Sequence, residues 1–295
     1  MSRANSSRIV SARLLSSRKA LAVAVLLVGA GPVGAATLVS YDFEGVTGSD
    51  SLAGTILNGQ DTWAIANTDN PDAVVRYNVP GLDGTNVVCN PASVDVNSNV
   101  IGAGDVRSQR SISPLSFTNA DTAVEQRAYV MVDDLNRAVT PDLMPGSTIG
   151  LRFAGVNTAF MLFGFDAGTP YFRAGTGTEY HGAASVIRRD WYEFKGVMDF
   201  SQAGGLMTLS YRDLTAGETA FTTEAGLTNL NMSLTPSGGV YTADGIDFRI
   251  GCGPQQGIGY ADNFSVSTVP EPAGLSLLAL GALGLRSRRH RKLQA

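Results

Sequence analysis

The strongest constraint on the fold is a period of two. Between residues 37 and 268, short runs of alternating apolar and polar residues, bounded by Gly, Asn, Asp or Pro, recur with no long helical period between them. The clearest are 38–44 (LVSYDFE), 73–79 (AVVRYNV), 123–132 (AVEQRAYVMV), 148–154 (TIGLRFA) and 159–166 (AFMLFGFD). Four more follow at 191–200 (WYEFKGVMDF), 206–213 (LMTLSYRD), 246–251 (IDFRIG) and 258–266 (IGYADNFSV). Successive strand side chains point to opposite faces, so each run has one face to bury. Many short strands without intervening helices predict an all-β fold of two packed antiparallel sheets or a barrel. One hairpin is especially legible: Trp191, Glu193 and Lys195 alternate with Tyr192 and Phe194, residues 199–205 turn, and 206–211 return. Trp191 reads as core.

Charge is distributed unevenly. Ten of the 22 basic residues lie at the two ends (Arg3, Arg8, Arg13, Arg18, Lys19; Arg286, Arg288, Arg289, Arg291, Lys292), and all 26 acidic ones lie between them. A body that acidic repels a phosphate backbone and offers no basic stripe, which excludes nucleic acid as a partner and leaves acidity to serve solubility.

The ends read as addresses. Residues 1–19 are polar and basic, 20–30 (ALAVAVLLVGA) are apolar, and Val33-Gly34-Ala35-Ala36 supplies the small residues that signal peptidase needs. Residues 1–36 are thus a signal peptide cut after Ala35 or Ala36; a retained anchor is the alternative. At the other end Val269-Pro270-Glu271-Pro272 precedes the apolar run 273–285 (AGLSLLALGALGL) and then the basic cluster. As a helix at about 1.5 Å per residue this run reaches roughly 20 Å, a marginal membrane span whose basic flank stays cytoplasmic. Pro270 and Pro272 hold Glu271 extended, within a processing enzyme's grasp.

Order, spacing and chemistry of residues 269–292 resemble the PEP-CTERM sorting signal. The resemblance implies an exosortase that recognises Pro270-Glu271-Pro272, removes the apolar helix and releases or attaches the protein, commonly where exopolysaccharide is made. The alternative is an uncut tail anchor. The domain plan is then a signal peptide (1–36), a β-sandwich (37–268) and a sorting signal (269–295).

The hairpin at 191–211, the opening Tyr41-Asp42-Phe43-Glu44-Gly45 and the closing Asp262-Asn263-Phe264-Ser265-Val266 resemble concanavalin-like and laminin-G-like jelly rolls. That resemblance implies a two-sheet antiparallel jelly-roll sandwich with its terminal strands side by side. In carbohydrate-binding relatives an acid from each terminal strand helps hold a structural calcium. Glu44 and Asp262 take those places here, with hard oxygens of the right kind, the alternative being a solvated pair.

Two cysteines, Cys89 and Cys252, lie in the exported part, and an even count in an oxidising compartment favours a disulfide over two free thiols. Two thiolates without neighbouring histidines complete no zinc site.

No catalytic constellation stands out. Any Ser/His/Asp triad must use His181, which reads as a surface residue in a Gly- and Ala-rich loop. The Glu-x-Asp-x-(x)-Glu run of glycan-cleaving relatives is missing, and both Asp133-Asp134 and the pair Asp244 and Asp247 are expected to point to opposite faces of a strand. Glycan binding asks less, and Trp63, Tyr77, Tyr171, Phe172, Tyr180 and Tyr241 are candidate stacking aromatics, most of them core or half-buried. The sequence reads as an exported, non-catalytic envelope or matrix β-sandwich that binds glycan. The alternatives are an exported polysaccharide hydrolase and a structural, partner-binding surface protein.

Overall fold

The computed structural model describes residues 35–49, 51, 54–65, 73–79, 82–89, 92–94, 100–102, 106–121, 123–133, 146–154, 159–166, 168–175, 178–185, 187, 189–251 and 258–269. Residues 1–34 of the expected signal peptide, Asp134, Cys252, the Pro270-Glu271-Pro272 motif and the apolar run after it lie outside the described residues.

The strands in chain order are β1 (Thr37–Tyr41), β2 (Thr55–Ile56), β3 (Trp63–Ile65), β4 (Val74–Val79), β5 (Leu82–Cys89), β6 (Ala92–Val94), β7 (Val100–Gly102), β8 (Val106–Phe117) and β9 (Val124–Asp133). They continue with β10 (Gly146–Ala154), β11 (Ala159–Asp166), β12 (Thr169–Gly175), β13 (Thr178–His181), β14 (Tyr192–Asp199), β15 (Leu206–Asp213), β16 (Leu230–Asn231), β17 (Tyr241–Gly251) and β18 (Ile258–Thr268). Among the described residues the only helical turn is a 3-10 turn at Ala225–Leu227, and no helix is long and apolar enough to cross a membrane.

A nine-stranded sheet runs β16-β15-β14-β9-β18-β5-β4-β2, with β1 also on β18; a seven-stranded sheet runs β13-β12-β11-β10-β17-β8-β3; β6 and β7 form a separate hairpin. Neighbouring strands pair antiparallel, as in β9–β14, β14–β15, β10–β11 and β10–β17. The molecule is therefore the two-sheet, jelly-roll-like sandwich expected. All nine strand-like runs are strands, and the legible hairpin is β14–β15, with Asp199 opposite Leu206 at the turn. The terminal strands meet as expected: β18 gives its first half to β5, with Ala261 opposite Val88, and its second half to β1, with Phe264 opposite Tyr41.

Alternation builds the core. Val124, Ala128, Val130 and Val132 of β9 and Ala243, Ile246, Phe248 and Ile250 of β17 are all buried in one cluster between the sheets. Rings lock across it: Phe165 and Phe194 meet edge to face at 4.8 Å, and Phe117 stacks on Phe200 at 4.9 Å. A second cluster (Val74, Val79, Val87, Cys89, Met131, Trp191, Ile258, Tyr260) packs together. Its members alternate with inward Val75, Val88, Val130 and Ala261, so β4, β5, β18 and β9 bury both faces here. Trp191 is core, but of this outer cluster.

Candidate functional site

The outward face of the seven-stranded sheet is lined mostly by polar side chains, with the apolar Leu162 of β11 set among them. Because Ile246, Phe248 and Ile250 point inward, Asp247 and Arg249 point out; register places Gln109 opposite Asp247 and Arg107 opposite Arg249 on β8. On β10, Thr148 and Arg152 face the same way, between inward Ile149, Leu151 and Phe153. On β12 and β13, Tyr171 stands opposite His181 and Arg173 opposite Glu179.

These groups brace one another. Arg152 donates from Nε to Asp244 Oδ1 (2.9 Å) and from Nη1 to Gln109 Oε1 (2.7 Å), Arg107 Nη2 lies 3.4 Å from Asp247 Oδ2, and Arg173 Nη1 lies 3.7 Å from Glu179 Oε1. Gly245 permits this: a Cβ there would come within 2.7 Å of the Arg152 guanidinium, so only glycine lets Arg152 lie flat across β17. Asp247 is 1% exposed and its Oδ1 has no hydrogen-bond partner. Burial lifts its carboxyl to about 6 against the opposing pull of Arg107 and Arg152.

The expected opposition of Asp244 and Asp247 is overturned. The ladders skip Asp244: Phe153 pairs with Ala243 and Arg152 with Gly245 on one side, and β8 passes from Leu115 opposite Ala243 to Ser111 opposite Gly245 on the other. The bulge adds one residue and reverses the alternation, so both carboxylates face outward around Arg152. A register shift of this kind leaves no mark in a two-residue period, which is why the sequence misassigned them.

At the β10–β12 end the face dips into a hollow of about 90 Å³ whose walls include Thr148, Leu162, Asp166, Tyr171, Arg173, Glu179 and Arg249. Burial, and a hydrogen bond to Glu179, hold the Tyr171 phenol well above its ordinary range, so it stays protonated. His181 is exposed at the rim, as expected, its Nδ1 3.3 Å from Thr169 Oγ1 and its ring 5.0 Å from that of Tyr171.

The other aromatics divide as their burial dictates. Trp63 stacks on Phe43 in the core, Phe172 is fully buried, Tyr241 packs on Phe200, and Tyr180 is half-buried with its hydroxyl donating to Asn231 O at 3.4 Å. Tyr77 is 38% exposed. Only Tyr171, of the six, reaches the hollow.

Glu44 and Asp262 do come together. Asp262 is 1% exposed at a register break in β18, and its carboxyl is pushed up to about 8, first by burial and then by the nearby charges of Glu44 and Asp42. Each acid already has local donors: Asn263 donates from its backbone and side chain to Asp262 (2.7 and 3.0 Å), Asn86 N–H to Glu44 Oε1 (2.8 Å) and Glu44 N–H to Asp42 Oδ1 (3.2 Å). The donor atoms are of the kind calcium takes, but among the described residues no three acidic, histidine or cysteine side chains are grouped to hold an ion.

Asp133 accepts a 2.8 Å bond from Arg189 Nε. Cys89 carries a free thiol, and Cys252, the bridge partner that the even cysteine count offered, lies outside the described residues. The Cys89 side chain is sealed in the outer apolar cluster, where burial lifts the thiol to about 12 and keeps it un-ionised.

Residues 268–292 match the PEP-CTERM protein-sorting motif. The chain carries this sorting signal. The PEP-CTERM match covers the tail alone, and comparison with curated proteins finds no match. Among solved structures the chain is similar to an alginate lyase from Aplysia kurodai (11% identity, 79% of this chain and 100% of that one, TM-score 0.43). It is similar to the same degree to an endo-β-1,4-glucuronan lyase from Trichoderma reesei (11%, 79% and 96%, 0.43) and to basic winged bean lectin (8%, 81% and 100%, 0.43). No conclusion about ligand or chemistry follows from likenesses this distant.

Proposed function

We propose that this PEP-CTERM protein is exported, cut by an exosortase at Pro270-Glu271-Pro272, and acts without catalysis as a glycan-binding sandwich of the envelope or extracellular matrix. The observation that carries the binding part is the braced polar face with its hollow: guanidinium, carboxylate, hydroxyl and phenol groups held in place by one another around a small concavity. Such a surface presents donors and acceptors to sugar hydroxyls at little further ordering cost.

The intact mass of the native protein tests the export part. Loss of the segment beyond the Pro270-Glu271-Pro272 region in wild-type cells, and its retention in cells lacking exosortase, is the expected result; an uncut tail in both makes the protein a membrane-anchored domain. A glycan array tests the binding part, and no retained glycan on the whole array leaves a structural, partner-binding protein.

One observation favours the hydrolase reading: Asp244 and Asp247 share a face and Asp247 has a raised carboxyl, as a general acid requires. Its burial speaks against direct contact with substrate. Polysaccharide turnover that Asp247→Asn abolishes would establish that reading.

A structural calcium at Glu44 and Asp262 belongs to the same proposal. The ion would relieve the repulsion between Glu44 and Asp262, with backbone carbonyls and water completing its shell.

A further inference from the structure

We propose that the outward face of the seven-stranded sheet selects an uncharged, hydroxyl-rich glycan, lying across β17, β10, β11 and β12 with one sugar unit in the hollow beside Tyr171. This deepens the glycan-binding reading and rests on it.

Charge balance carries the inference. Four arginines (Arg107, Arg152, Arg173, Arg249) are matched on this face by four carboxylates (Asp166, Glu179, Asp244, Asp247), and three cross-strand pairs already join them. A guanidinium engaged by a carboxylate has given up much of its attraction for a uronate or sulfate, and the same carboxylate then repels the incoming anion at close range. Further out, a body in which 12 basic residues face 26 acidic ones repels a polyanion before contact.

What disfavours an anion suits a hydroxyl. The carboxylate oxygens accept and the guanidinium N–H groups donate, and both are fixed by mutual bonds rather than by the ligand. Tyr171 stays a protonated phenol whose proton goes to Glu179, so toward a sugar hydroxyl it offers a neutral acceptor rather than a charge. Leu162, opposite Arg173 in the β11–β12 ladder, lines the hollow and supplies an apolar floor for the C–H face of a pyranose.

The test is calorimetric titration of the mature exported protein with soluble neutral polysaccharides (laminarin, dextran, galactomannan) and with alginate and polyglucuronate, at low and high salt. The expected result is binding of a neutral polysaccharide that salt leaves unchanged and that Tyr171→Phe or Arg173→Gln weakens about tenfold, with thermal midpoints checked to confirm that each variant is folded. The double variant Asp166→Asn with Glu179→Gln adds two units of positive charge to the hollow and should acquire salt-sensitive binding of polyglucuronate. Wild-type preference for alginate or polyglucuronate, falling steeply with salt, would overturn the uncharged-ligand inference while leaving glycan binding standing. Neutral binding untouched by the hollow variants would overturn the site, and no binding of any polysaccharide would sink both readings.

Discussion

Asp262 sets burial against charge more sharply than any other described carboxylate. A folded-state value of about 8, far above the ordinary carboxylate range, means that the native state holds this proton while the unfolded chain releases it. Its contribution to stability is therefore fully present below about pH 4 and is lost as pH rises toward 8. Asp247, lifted to about 6, acts with the same sign over a lower window. Melting curves in EDTA should show a midpoint that declines from mildly acid to mildly alkaline pH, and Asp262→Asn should remove the upper part of that decline. Calcium should raise the wild-type midpoint at alkaline pH and leave Asp262→Asn unmoved; a wild-type midpoint indifferent to calcium removes the ion from the proposal. That Glu44 and Asp262 meet was legible because the opening and closing runs resemble the terminal strands of jelly rolls, which lie side by side. The shared face of Asp244 and Asp247 was not, since a single bulged residue decides it.

At the scale of strands, Gln126 ties the two sheets together. It sits on β9 with no exposed surface, accepts from Leu151 N–H (3.3 Å) and donates to Met161 O (3.4 Å), the facing pair of the β10–β11 ladder. Gln126→Leu keeps the bulk but leaves two buried backbone groups without this partner, and should cost about 1–3 kcal/mol in urea unfolding. An unchanged midpoint would mean that the ladder re-forms around the gap. Strands with clean alternation or apolar runs were readable in the sequence; β5 and β8 were not. Asp83-Gly84-Thr85-Asn86 in β5 reads as a turn, and Pro114 in β8 reads as a strand breaker. Pro114 survives because it falls in the stretch of β8 that has slipped out of register with β17, where no ladder donor is needed.

For the molecule as a whole, the pairing of β1 with β18 extends one residue beyond the strand. Ala36 N–H donates to Thr268 Oγ1 and Thr268 N–H to Ala36 O, both at 2.9 Å. A signal cut after Ala35 preserves both bonds and a cut after Ala36 destroys them. N-terminal sequencing of the exported protein should begin Ala36-Thr37-Leu38; a start at Thr37 would show the extension to be dispensable.

The place of β18 in the larger sheet also orders events in time. Synthesised last, it lies between β9 on one side and β5 and β1 on the other. Until residues 258–268 arrive, the first strand has waited more than two hundred residues for its neighbour, and the sheet stands open along its middle. The next residues to emerge are the sorting motif itself. Closure of the sandwich and display of the address thus depend on the same final stretch of chain, so a prematurely terminated product carries neither a finished fold nor a passport.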